Sequence, residues 1–373
     1  MPKANRYNPV YLVSVTLDDV LRRSRLPWID YLKGIAIFLV VYRHALLGIQ
    51  RSGIYTYPIL EQLNMIFYSF RMPLFFILSG LFISKSLSKN TVPELIEKKT
   101  NSILYPYFVW AFIQISLQII FSSVTNASRS AADYTYIFYH PRMLDQFWYL
   151  PALFNVSVAY MFTKGVLRVP AAWQPVIGIV LYFCSPYIRD ISMISDMMEF
   201  YLFFSIGDIT SRFFFSPKTQ ETLKKVPLLI VTGIVFGITQ WLYLKQPEYY
   251  YRDTVPGQLL FLFIALIGCF SMILVAFRLQ ALNILKVLRI PGYYSIYIYL
   301  THVLIIALTR IVLTKFFHIE NGLLVLVIAI FSGIIIPIIL YRVLSHNKIG
   351  QYLYTYRPEK KGKPPALSTP AAS

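Results

Sequence analysis

WIDYLKGIAIFLVVYRHALLGI, residues 28–49, is the stretch whose reading decides the fold. Twenty-two residues of helix rise about 33 Å, enough to cross a hydrocarbon core of about 30 Å. The segment is apolar enough to span, yet it carries ionisable groups at helical spacing. Lys33 and His44 are eleven residues apart, three turns plus about 20°, so both leave one face. Asp30 returns to within about 40° of His44 on the same face. Ionisable groups at membrane depth cost at least about 2.5 kcal/mol each unless paired or wetted. A helix accepting three of them on one face reads as the wall of a polar cavity. The other reading keeps Asp30 and Lys33 at the headgroup level, snorkelling to water. It suits His44 less well, because that residue lies about 24 Å along the helix from Trp28.

The rest of the chain agrees with a membrane protein. Of 373 residues, 57% are hydrophobic and only 14% charged, against about a quarter charged in a soluble domain. Twenty-nine Tyr and 28 Phe suit membrane interfaces and wet cavities. The two cysteines, Cys184 and Cys269, lie in apolar runs and offer neither a disulfide framework nor metal-ligand spacing. Residues 1–27 are polar and basic, with no cleavable signal, and the first apolar segment serves as the insertion signal.

Apolar segments long enough to span recur at 28–49, 62–84, 103–122, 147–166, 172–188, 198–214, 226–244, 257–277, 292–315 and 322–344. Assigning alternate loops to opposite sides divides the Lys and Arg residues about 25 to 7, the asymmetry expected of a cytosolic face. That bias accounts for the formal net charge of +18 without a nucleic-acid partner. The fold expected is an all-α polytopic membrane helix bundle of about ten spans, with both termini cytosolic. Its parts are a cytosolic segment 1–27, a membrane domain 28–350 and a disordered basic cytosolic tail 351–373. Arg43, Arg71 and Arg310 remain inside spans.

Several residue groups have the chemistry for a site. Neutral imidazole at His44 can take a proton from a hydroxyl or itself attack a thioester. Arg71, in SFRMPLFFILSG, is either a cation for a developing oxyanion or substrate anion, or half of a buried ion pair. Ser79–Gly80 reads as a close helix contact. His302 shares a face with Ser295 and Tyr299, as a second cavity wall or as a packing residue. Glu199 and Asp208, nine residues apart, fall on opposite faces and do not pair, and Asp208 is expected to meet cytosolic solvent. Trp148 starts the fourth span, where anchoring is its simplest role. Lys98 and Lys99, with Lys85 and Lys89, suit the phosphates of a nucleotide-type donor, although the positive-inside bias also explains them. The ring-rich loops within 123–147 and 241–253 suit either sugar faces or an interfacial belt. No Walker loop, zinc motif or Gly-x-Ser-x-Gly elbow occurs.

WIDYLKGIAIFLVVYRH, FRMPLFFILSG, ILYPYFVW, FWYLPALF and YSIYIYLTH together resemble the acyltransferase-3 family of integral membrane acyltransferases. That family includes bacterial fucose 4-O-acetylase-like and surface-polysaccharide O-acetyltransferases. The resemblance implies an enzyme that moves an acetyl or other short acyl group from acyl-CoA to a hydroxyl of a glycan or lipid-linked sugar. It implies a multi-pass protein of the bacterial inner membrane, with acetyl-CoA as co-substrate, no permanently bound cofactor and no metal. By resemblance His44 is the essential histidine, Lys33 its basic companion and Arg71 a further catalytic group. Asp30, Arg43, Trp148, Tyr299, His302, Lys98 and Lys99 are candidate donor- or substrate-binding residues. The family's Arg-x-x-Arg element at the third span is replaced by Lys98, Lys99 and Asn101–Ser102. A transporter or flippase of a polar or glycan substrate is the alternative from another class, since it too would hold intramembrane charges around a wet cavity.

Overall fold

The computed structural model describes residue 20 and residues 26–122, 129–247 and 250–357. Among the described residues there is no strand. The principal helices are α1 (Pro27–Gln50), α2 (Pro58–Gly80), α3 (Val92–Ile120), α4 (Tyr149–Met161), α5 (Gln174–Cys184), α6 (Ser192–Phe215), α7 (Val226–Leu244), α8 (Val255–Leu282), α9 (Arg289–Tyr293), α10 (Ser295–Ile311) and α11 (Gly322–Leu344). Eight helical stretches among the described residues are long and apolar enough to cross a membrane. All ten segments read from the sequence fold as helices. The two outside the eight are α4, 13 residues long, and the more charged α6, which carries Asp196, Glu199, Asp208 and Arg212; α5 is among the eight because the short turns on either side extend it to Ala171–Ile188.

Local sequence explains the helix ends. Pro27 opens α1 at a position whose N–H would have no intrahelical acceptor. The Gln280 side chain then accepts from the Trp28 N–H at 2.9 Å, satisfying an orphan donor of the first turn. In α3 a capping box joins Thr91 and Glu94, so the helix starts eleven residues before the span read from hydropathy. A π-type turn at Thr100–Leu104 connects its charged first part to its apolar second part.

The chain divides into two compact units, each described by itself. The first comprises residues 1–60, 221–234 and 270–343. Its axis is α1, which packs on α9 and α10. Gly34 and Gly292 let two backbones meet. A methyl group on Gly34 would collide with the Leu288 carbonyl, and one on Gly292 with the Asp30 carbonyl. Close approach through small residues is the usual means of helix association where lipid supplies no hydrophobic drive. Trp28 stacks on Phe277 with centroids 4.7 Å apart, and Tyr31 donates to the Ile284 carbonyl at 2.6 Å. Tyr297 and Tyr341 stack between α10 and α11.

The second unit comprises residues 61–220, 235–269 and 344–373. It is centred on α6, which packs on α4 and α5. Gly80 and Gly207 form a close crossing, where an added methyl would strike the backbone of Phe204 or Ile77. The close contact read at Ser79–Gly80 is therefore present, and the Ser79 hydroxyl is held by the Phe75 carbonyl at 2.8 Å. Phe76 stacks on Phe200, centroids 4.3 Å apart. Residues 352–357 dock on α3. Tyr105 donates to the Tyr352 carbonyl at 2.6 Å, Asn101 accepts from Thr355 and from the Tyr356 N–H, and Arg357 pairs with Glu97 at 2.5 Å. Of the tail expected to be disordered at 351–373, residues 351–357 are instead held in place, 352–357 against α3, and the rest lies outside the described residues, as does nearly all of the N-terminal segment 1–27.

Candidate active site

In the first unit α1 and α10 bring together two histidines that are 258 positions apart in sequence. The rings of His44 and His302 meet edge to face with centroids 5.1 Å apart. His302 is fully buried, and His44 is half-buried. His302 Nδ1 lies 3.0 Å from the Ile298 carbonyl and 2.9 Å from the Tyr299 carbonyl. A carbonyl oxygen only accepts, so Nδ1 carries the proton and Nε2 is left with its lone pair. That tautomer is assigned from the hydrogen-bond network. Nε2 is buried and has no hydrogen-bond partner among the described residues. A buried acceptor without a partner costs about 1–3 kcal/mol, so an unprotonated nitrogen beside a second imidazole is a costly feature for a packing residue. The Tyr299 ring, 4% exposed, lies 5.9 Å from His302.

Lys33 and Asp30 do not join this pair. Eleven residues of helix separate Lys33 from His44 by about 16 Å along α1. Asp30 is buried, Lys33 is half-buried beside Gly34, and the two interact electrostatically. The nearby α9 supplies Arg289, a buried guanidinium whose Nε has no hydrogen-bond partner among the described residues. Its outer nitrogen reaches the Val20 carbonyl only at 3.5 Å. Sequence reading treats Arg289 as one more topology-setting cation. Its burial follows from the α1–α9 crossing, which no local pattern announces. Arg43, half-buried, points about 100° around α1 from His44 and belongs to a different face.

The remaining candidates belong to the second unit. Arg71 is buried in α2, one turn from Tyr68, with its guanidinium carbon 5.9 Å from that ring. Pro73 removes an N–H from this part of the helix. The neighbouring Phe70 carbonyl receives the Cys269 thiol at 3.5 Å, and Gln240 donates to the Ser69 hydroxyl at 3.0 Å. Lys98 is exposed and donates to the Asn90 side chain, while Lys99 is half-buried. Trp148 is more than an anchor, because the Arg142 guanidinium lies 4.4 Å from the centroid of its ring.

Two ionic groups in this unit went unread in the sequence. Arg142 pairs with Asp196 at 2.5 Å and Glu199 at 3.3 Å. Asp196 and Glu199 sit three residues apart on α6, a spacing visible in the sequence, but their cation comes from a loop 54 residues away. At the other end of α6, Asp208 is 4% exposed. It accepts from Lys164, from Ser84 and, at 2.7 Å, from Tyr160. The expectation that Asp208 meets solvent is therefore corrected. A carboxylate near a helix end reads as solvated until the partners that bury it are known. Glu199 and Asp208 do take separate partners, as their spacing requires.

The model of an acyltransferase domain, that of the acyltransferase-3 family, matches residues 26–342. No curated protein and no solved structure matches the chain. The match encloses both histidines, Lys33, Arg71 and every helix from α2 to α10. Among the described residues no cluster of His, Cys, Asp and Glu is arranged to hold a metal ion.

Proposed function

This chain belongs to the acyltransferase-3 family and is a multi-pass membrane acyltransferase, and we propose that it moves an acetyl or other short acyl group from acyl-CoA to a hydroxyl of a glycan or lipid-linked sugar. The observation that carries the proposal is the histidine pair of α1 and α10, half-buried His44 against fully buried His302, with an unprotonated nitrogen on His302 beside the His44 ring.

On this reading the acceptor hydroxyl gives its proton to His44 as its oxygen attacks the thioester carbonyl. A C–O bond forms, the C–S bond breaks, and the proton passes from His44 to the departing CoA thiolate. His302 is a positioning residue. Its lone pair, fixed by the two carbonyls on its other nitrogen, favours the imidazolium form of His44 during the transfer. Lys33 and Arg289 flank the α1–α9 crossing, about 16 Å from His44 along the helix. That separation suits CoA, which carries phosphates at one end of a long pantetheine arm and the thioester at the other. The cation-rich side of the chain attracts the same phosphates, and Lys98 and Lys99 of the second unit are kept as donor-binding candidates on sequence grounds. Arg71 and Trp148 remain site candidates on sequence grounds. This side is read as cytosolic, in a bacterial inner membrane, from the distribution of Lys and Arg and from the family.

The test is incubation of the purified protein, in lipid nanodiscs, with acetyl-CoA labelled in the acetyl group and cell-envelope glycans. Label on a glycan with one CoA thiol released per acetyl supports the proposal. Movement of a glycan across the bilayer with the thioester intact would establish the transporter reading instead.

A further inference from the structure

A polar cavity of about 270 Å³ lies in the second unit, lined by His140, Arg142, Ser195, Glu199, Tyr251 and Gln258, among others. It sits at the N-terminal ends of α6 and α8, against the loop before α4 and the turn after α5. Twelve residues of α6, about 18 Å, separate Asp196 behind this cavity from Asp208 at the opposite end of the helix. The cavity gathers parts of both ring-rich loops, His140 and Arg142 from one and Tyr251 from the other.

Resting on the acyl-transfer reading above, the geometry points to this cavity as the binding site for one uncharged sugar residue of the acceptor. Charge argues first. The lining holds two guanidiniums, Arg142 and Arg189, and two carboxylates, Asp190 and Glu199. Arg142 is held by Asp196 and Glu199, and Arg189 by Asp253 at 2.9 Å. An anionic ligand would have to compete with carboxylates already in place, and a cationic one with Arg142 for Glu199. Hydrogen bonding argues next. The Asp190 carbonyl fixes His140 Nδ1 at 2.8 Å as the donor, leaving Nε2 to accept. Ser195 adds a hydroxyl, and Gln258, tied to the Tyr182 carbonyl at 3.3 Å through its nitrogen, adds an amide oxygen. Such mixed donors and acceptors suit the hydroxyls of a pyranoside. Size argues last. Pockets for drug-sized ligands span about 300–1,000 Å³, so this one admits a single sugar, with the rest of a glycan outside. Tyr139 and Tyr187, 45% and 87% exposed beside the lining residues, offer ring faces to that remainder.

The test is saturation-transfer NMR on the full chain in nanodiscs. The probes are neutral methyl hexosides and 6-deoxyhexosides, a methyl glucuronide and a methyl glucosaminide. Neutral glycosides should bind the wild type and the charged ones at least about fivefold more weakly. Ser195→Leu should abolish binding by filling the cavity. His140→Ala, checked against the wild type for unfolding temperature, should weaken it about fivefold, the value of one lost hydrogen bond. Unaltered binding in both variants, or a charged glycoside binding as tightly as the neutral ones, overturns the assignment. Thiol release from acetyl-CoA by the wild type, followed in parallel, separates the two claims. Glycoside binding lost in the variants, without any thioester use by the wild type, upholds the cavity and removes the transfer reading. Thioester use without glycoside binding does the reverse.

Discussion

Replacing His302 by Asn and by Gln separates the two jobs its ring performs. An Asn side chain carries its amide nitrogen near the Nδ1 position, so it retains the donor to the Ile298 and Tyr299 carbonyls but has nothing at Nε2. Gln reaches the Nε2 position and gives up the Nδ1 contact. One neutral hydrogen bond is worth about 0.5–1.5 kcal/mol, and the Asn variant keeps it, so its thermal stability should fall by no more than a few degrees. Its turnover should fall much further. Proton transfer by a positioned group contributes about 10²–10⁴-fold. On the proposed reading His302 acts through His44, 5.1 Å away, which places the loss at the lower end, about 10²-fold or about 2.7 kcal/mol. The loss should fall on kcat, with KM for acetyl-CoA little changed, because the proposed reading assigns the donor's phosphates to other residues. Gln should recover part of the rate while costing more stability. The assay is thiol release from acetyl-CoA in nanodiscs, beside unfolding followed by intrinsic fluorescence. An Asn variant with the wild-type kcat would refute the reasoning, because His302 would then be filling space.

Three further outcomes follow from packing and charge. Gly207→Val forces a side chain onto the backbone of Ile77 and should destabilise the protein by about 1–3 kcal/mol, read as a lowered unfolding temperature in detergent. Asp208→Ala leaves the Lys164 ammonium with the Ser84 hydroxyl in place of a carboxylate and removes an acceptor from Tyr160 and Ser84. Removing one partner of a buried pair costs about 3–5 kcal/mol, whereas Lys164→Met combined with Asp208→Leu should cost much less in a double-mutant cycle. Truncation after residue 350 strips Tyr352, Thr355 and Arg357 from α3. It should increase hydrogen exchange at residues 97–105 while leaving α10 unchanged.

The membrane character of the chain was legible because bilayer thickness imposes a length on every span and Lys and Arg follow the cytosolic side. The same logic located α1 and its polar stripe. Helix starts were less legible. The charged first turns of α3 are held by a capping box, and a hydropathy reading discards them. The pairing of His44 with His302 is a different kind of information. Each was singled out on its own helix, but the distance between them depends on how α1 packs on α10, which no pattern along either helix reports. Arg142 with Asp196 and Lys164 with Asp208 were missed for the same reason. Their partners come from other elements, and periodicity along one helix does not report them. Lys33 shows the converse limit. It shares a face with His44, yet a common face over three turns still leaves two groups about 16 Å apart.

The most direct measurement is acetyl transfer by His44→Ala, purified in nanodiscs and matched to wild type in unfolding temperature. An imidazole that takes the acceptor's proton predicts a drop of at least about 10²-fold in kcat with acetyl-CoA still bound. Turnover equal to the wild type in that folded variant would contradict the account at its centre.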